Sequence, residues 1–108
     1  MSDLIINPRF KELLPLLTRG EAEQLEKSIL DEGIREPIKI WNNQIIDGHN
    51  RYELAEKYGL PFKVVDYFFE DEDAVCEWML TNQLGRRNLE PYIKTLLIGQ
   101  LYELQKKR

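Results

Sequence analysis

The stretch Ile45-Ile46-Asp47-Gly48-His49-Asn50-Arg51-Tyr52-Glu53-Leu54-Ala55-Glu56-Lys57-Tyr58-Gly59 changes character twice in fifteen residues. Ile45 and Ile46 read as a strand end, Asp47 and Gly48 as a tight turn, and Arg51 to Tyr58 as a helix closed by Gly59. A strand that passes through a glycine turn into a helix aims unpaired helical N–H groups at whatever lies above the turn, which is where anions bind. Arg51 falls in the first helical turn, where its guanidinium adds a forked, permanently charged contact. The local pattern predicts a phosphate grip, although the same strand, turn and helix occur in many α/β domains without a ligand. The later glycines of a dinucleotide fingerprint are missing, and so is the Lys-Ser or Lys-Thr of a P-loop.

Upstream, Ile38-Lys39-Ile40-Trp41 alternates as a half-buried strand does, and Asn42-Asn43 is a turn suited to positive φ, so Gln44 to Asp47 returns antiparallel. This hairpin delivers Asp47 to the site. Before it, Thr18 to Glu21 has the form of a capping box, Ala22, Leu25 and Ile29 share a helical face, and Gly33 supplies a left-handed terminus. Leu4 to Ile6 reads as a short strand stopped by Asn7 and Pro8, and Phe10 to Leu17 as loosely structured, with Pro15 discouraging a long helix.

Downstream, Pro61 to Phe69 reads as a strand, and the acidic run Glu70 to Asp73 as a solvated helix start rather than a metal cluster. Val75, Trp78, Met79 and Asn82 repeat at helical spacing from about Asp73 to Leu84, with Gly85 as the stop. Cys76 sits beside this stripe with no cation or histidine near it in sequence, so an inert thiol is expected. Arg86 and Arg87 follow in a turn, and Pro91 opens a last helix with an apolar face of Ile93, Leu96, Leu97, Leu101 and Leu104. Arg51, Arg86 and Arg87 together suit a di- or triphosphate with a divalent ion sharing the charge.

A chain of 108 residues is one fold unit that buries about 65% of its unfolded surface. Its single cysteine excludes an internal disulfide and a cysteine-rich zinc site. No apolar run approaches the ~20 residues of a membrane span, and the opening MSDLIINPRF lacks a signal core, so the sequence predicts a cytoplasmic protein. Net charge −4 argues against nonspecific duplex binding as the main task. The charge is uneven: residues from Gly85 onward carry +4 and the remainder −8.

Three segments in order, SILDEGIREPIKIW, IIDGHNRYELAEKYGL and NQLGRRNLEP, give a resemblance that covers about Thr18 to Leu104. The chain resembles the N-terminal domain of the ParB/sulfiredoxin superfamily, as found in plasmid- and phage-borne ParB-like proteins. The resemblance implies a small α/β (α+β) fold with a short mixed sheet flanked by helices and a C-terminal helix. It divides the chain into a nucleotide-binding part, 1–87, and a C-terminal helix, 88–108, leading toward a DNA-binding region outside this chain. It implies a nucleotide, CTP in partition proteins and ATP or ADP in the kinase and sulfiredoxin branches, with Mg²⁺.

The G-x-x-Q-P-I pattern beside the nucleotide is matched by Gly33, Glu36, Pro37 and Ile38. The G-E-R-R-x-R-A pattern on the phosphates is matched by Gly48, His49, Asn50 and Arg51, with His49 and Asn50 standing where the pattern has Glu and Arg. The metal-serving E-N pair and its later Arg are matched loosely near Asn82, Gln83 and Arg86, without the acidic residue. Sulfiredoxin activity is excluded, because His49 stands at its cysteine position. The free-serine kinase branch reads D-G-H-x-R, matched in full by Asp47 to Arg51, with Asp47 or Glu36 as base and His49 as a phosphate or acid-base partner. The resemblance therefore implies a nucleotide-responsive domain of a DNA-binding, partition- or replication-related mobile-element protein, while the apolar stripe of the last helix suggests self-association there or a longer parent protein. A small-molecule kinase and a ligand-free scaffold are the alternatives.

Overall fold

The computed structural model describes residues 4–85 and 89–107. Its elements run α1 (Pro8–Leu13), α2 (Arg19–Glu32), β1 (Ile38–Trp41), β2 (Gln44–Asp47), α3 (His49–Tyr58), β3 (Val64–Asp66), α4 (Glu72–Leu84) and α5 (Pro91–Lys106). The three strands form a mixed sheet in the order β2-β1-β3, with β2 antiparallel and β3 parallel to β1. This is the α+β fold expected from the sequence.

The hairpin forms because Asn42 and Asn43 accept φ of 48° and 65°, which a two-residue connection demands. Its register is interrupted: Trp41 pairs with Gln44 and Ile40 with Ile45, but Lys39 pairs with Asp47, so Ile46 has no register partner. Such a bulge re-aims the side chains beyond it. Here it sets Asp47 opposite Lys39.

Strand alternation divides the core into two. Ile38, Ile40 and Ile45 bury against Tyr52 of α3, while Trp41 and Ile46 join Phe10, Val75, Cys76, Met79, Leu80, Leu97 and Leu104. Helix α3 thus covers one face of the sheet, and α4, backed by α5, covers the other. Trp41 also donates from Nε1 to the Phe69 carbonyl at 3.1 Å, fixing the entry to α4.

Four expectations are corrected. Phe10 and its neighbours form helix α1, because Asn7 caps Arg9 N and Pro8 occupies the first turn, where its missing donor costs nothing. Residues 4–6 contribute one parallel bridge, Ile5 to Gln44, in place of a strand. The stretch after Pro61 pairs only over Val64–Asp66. Gly33 ends α2 with φ 79° but an extended ψ of −175°, outside the left-handed helical region.

Two helical stripes are narrower than their spacing suggests. Ala22 is exposed, Leu25 is half-buried, and α2 buries only Ile29. On α5, Leu97 and Leu104 are buried, Ile93 and Leu101 pack partly, and Leu96 remains 46% exposed. The capping box on Thr18 and Glu21 is present in both directions. Among the described residues no helix is long and apolar enough to cross a membrane.

Candidate functional site

Gly48 is the N-cap of α3, with φ 106° and no side-chain cap. A Cβ there would lie 2.9 Å from Ile38 Cδ1 and 3.0 Å from Arg51 Nη2, so the turn requires glycine on conformational and steric grounds alike. The close approach lets Arg51, in the first turn of α3, fold back over the strand ends. Its Nη2 donates to the Pro37 carbonyl and to Asp47 Oδ2, each at 3.3 Å. Its Nε is buried without a hydrogen-bond partner among the described residues.

Arg51 and Asp47 open onto a cleft of about 710 Å³ lined also by Glu36, Lys39, Thr81, Asn82 and Gly85. Four elements build it: the loop into β1 supplies Glu36, the bulged hairpin Lys39 and Asp47, the first turn of α3 Arg51, and the last turn of α4 Thr81 and Asn82. Lys39 Nζ lies 3.8 Å from Asp47 Oδ2 and 5.9 and 5.8 Å from the ring centres of Tyr67 and Trp78. Those distances suit cation–π attraction to both rings.

On the other side of the Gly48 turn lies a second cavity, of about 260 Å³, bordered by His49, Asn50, Gln83, Lys11 and the apolar Leu14, Leu17 and Leu25. His49 is half-buried there. Its Nε2 is buried with no partner among the described residues. Burial, and then the Lys11 ammonium, hold its pKa below the ordinary 6.5, so the ring is neutral at neutral pH.

No family model matches the chain, and no curated protein does. Among solved structures it is similar to the C2221 form of a Pnob8-like ParB-N domain, at 26% identity with a TM-score of 0.79. The match covers 96% of this chain and 42% of the other.

This chain has the fold of a ParB-like N-terminal domain.

The ParB-like domain brings together four of the residues singled out from sequence: Glu36, Asp47, Arg51 and Asn82 share the larger cleft. It separates two others from that set, since His49 and Asn50 border the smaller cavity, which Gly48, Asp47 and Arg51 also reach. The residues Arg86 and Arg87, expected at the phosphates, lie outside the described residues.

Lys39 was missed by sequence reading. Its signal was present: in the alternation of β1 it occupies the Trp41 side, where a charged residue has to find a partner under the sheet.

The donor set of the larger cleft fits a phosphate. It offers the Arg51 fork, the Lys39 ammonium and the Asn82 amide. For a metal the fit is narrower. Among the described residues no group of three His, Cys, Asp or Glu side chains could hold an ion alone. A Mg²⁺ ion would therefore rest on phosphate oxygens with Asp47, Glu36 or Asn82, as this cation commonly does.

Proposed function

We propose that the domain is a nucleotide-responsive switch in a cytoplasmic DNA-binding protein of the partition or replication type carried by mobile elements. The nucleotide is CTP or an adenine nucleotide, held with Mg²⁺ in the cleft of Glu36, Lys39, Asp47, Arg51 and Asn82. The observation that carries this reading is Arg51: a guanidinium locked over a glycine turn and aimed into a cleft that also holds Lys39 and Asn82. Arg51 and Lys39 would take the phosphates, and Asn82 with a cleft carboxylate would hold the ion. A bound Mg²⁺ would supply charge neutralisation.

The net charge of −4 supports a reading in which DNA contact is made by protein outside residues 1–108, since duplex affinity comes mostly from Lys and Arg on phosphates. Self-association is assigned to α5, where Tyr92, Leu96, Ile98 and Tyr102 are 70%, 46%, 52% and 63% exposed. A kinase reading draws on one observation, the two carboxylates Glu36 and Asp47 on the same cleft as Arg51. It would place the base there and leave His49 outside the reacting groups.

Calorimetric titration with CTP, ATP and ADP, each with Mg²⁺, tests this on the native chain and on Arg51→Ala. Binding that is lost in the variant supports the cleft. CTP preference favours the partition-type switch. Adenine preference with turnover of an amino-acid acceptor favours the kinase. Silence with all three leaves a scaffold.

A further inference from the structure

Lys39 and Arg51, the cations of the larger cleft among the described residues, converge on one oxygen. Asp47 Oδ2 lies 3.3 Å from Arg51 Nη2 and 3.8 Å from Lys39 Nζ. The two are not held alike. Arg51 is fixed, because the same nitrogen donates to the Pro37 carbonyl and its side chain is only 18% exposed. Lys39 is poised: its ammonium stands beyond hydrogen-bond distance of the carboxylate, balanced between it and the faces of Tyr67 and Trp78. The bulge after Ile45 creates this arrangement by bringing Asp47 opposite Lys39.

Among the described residues, the charged ones that line the cleft, Glu36, Lys39, Asp47 and Arg51, sum to zero. An entering phosphate therefore competes with Asp47 for both cations. We infer that Asp47 is a built-in counter-anion, and that phosphate capture by Lys39 is conditional on a cation neutralising the Asp47 carboxylate. This rests on the reading of the cleft as a nucleotide site and adds its regulation. A divalent ion on Asp47 releases Lys39 to the phosphate, and by linkage the phosphate strengthens the ion's binding by the same factor. Metal and polyphosphate thus enter together. Asp47 acts here as a positioning residue for the cations and not as a proton acceptor.

The test uses inorganic tripolyphosphate as probe, titrated calorimetrically into the full chain at low ionic strength in chelator, with melting curves confirming the fold. Asp47→Asn, which removes the competing charge, is expected to bind the probe at least ~10-fold tighter than the native chain. Asp47→Ser serves where the amide variant is unfolded. If the native chain binds tripolyphosphate and the neutral variant binds it equally or more weakly, the inference is overturned.

Lys39→Met gives an independent reading on a chain that keeps Asp47. It is expected to lose ~10-fold in affinity when Mg²⁺ is present and to match the native chain in chelator. An equal loss under both conditions contradicts conditional release. If no form binds tripolyphosphate, CTP, ATP or ADP under any condition, the nucleotide reading falls and this inference falls with it.

Discussion

Gly48 is the residue on which the cleft most depends. Its φ of 106°, and the 2.9 Å that would separate an added Cβ from Ile38 Cδ1, mean that a side chain must strain the backbone and push Arg51 aside. Gly48→Ala is expected to cost ~1–3 kcal/mol in urea unfolding and to weaken nucleotide binding. Gly99 is the contrast: it sits inside α5 with nothing within 4 Å of an added Cβ, so Gly99→Ala should stabilise by up to ~1 kcal/mol. His49 makes a prediction in pH. It is the single histidine of the chain, and burial lowers its pKa in the folded state below the ordinary 6.5. The unfolded chain therefore takes up the proton first. The stability linked to neutral His49 is complete above about pH 6.5 and is lost as pH falls from there through the lowered folded value. Melting curves of the native chain and His49→Gln between neutral and mildly acid pH should diverge accordingly, with the variant showing the flatter profile.

At the scale of elements, what was legible followed from strong local chemistry. Asn42-Asn43 announces the hairpin, Thr18 with Glu21 the start of α2, and Asp71 the start of α4, where its side chain accepts from Ala74 N at 2.8 Å. Helix α1 was illegible because its stability is tertiary. Six residues do not sustain a helix alone. This one is held by buried Phe10 edge-on to Trp41, by Arg9 paired with Glu72 and Asp73 at 3.1 and 2.6 Å, and by the Asn7 amide donating to Gln44 and Glu72. The acidic run before α4 thus anchors α1 as well as capping its own helix. Periodicity located the face of α5 but not its width: Leu97 is 1% and Leu96 46% exposed. Leu97→Ala should cost ~2–5 kcal/mol and Leu96→Ala well under ~1 kcal/mol by denaturant unfolding of the isolated chain.

Over the whole molecule, the candidate site was legible where motif residues are local and obscure where distant elements meet. Asp47, Gly48 and Arg51 lie within one turn of chain, so their arrangement could be read directly. That Glu36 and Asn82 join them follows from the parallel return of β3, which carries α4 back across the sheet face behind β1. The opposite placement of His49 could not be read from D-G-H-x-R, because a helix start turns successive side chains by about 100° and sends neighbours to different cavities. Lys39 could be placed on the Trp41 side of β1 from the alternation, but its pairing with Asp47 depends on a bulge that the sequence does not announce. The domain therefore presents a cleft on the α4 side of its sheet whose described residues balance in charge, and a smaller, half-apolar cavity around His49. Amide chemical-shift mapping of the full chain during titration with CTP, ATP or ADP and Mg²⁺ tests the central claim most directly. Shifts are expected to concentrate at Lys39, Asp47 to Arg51 and Thr81 to Gly85. Shifts confined elsewhere, or none with any of the three nucleotides, would contradict it.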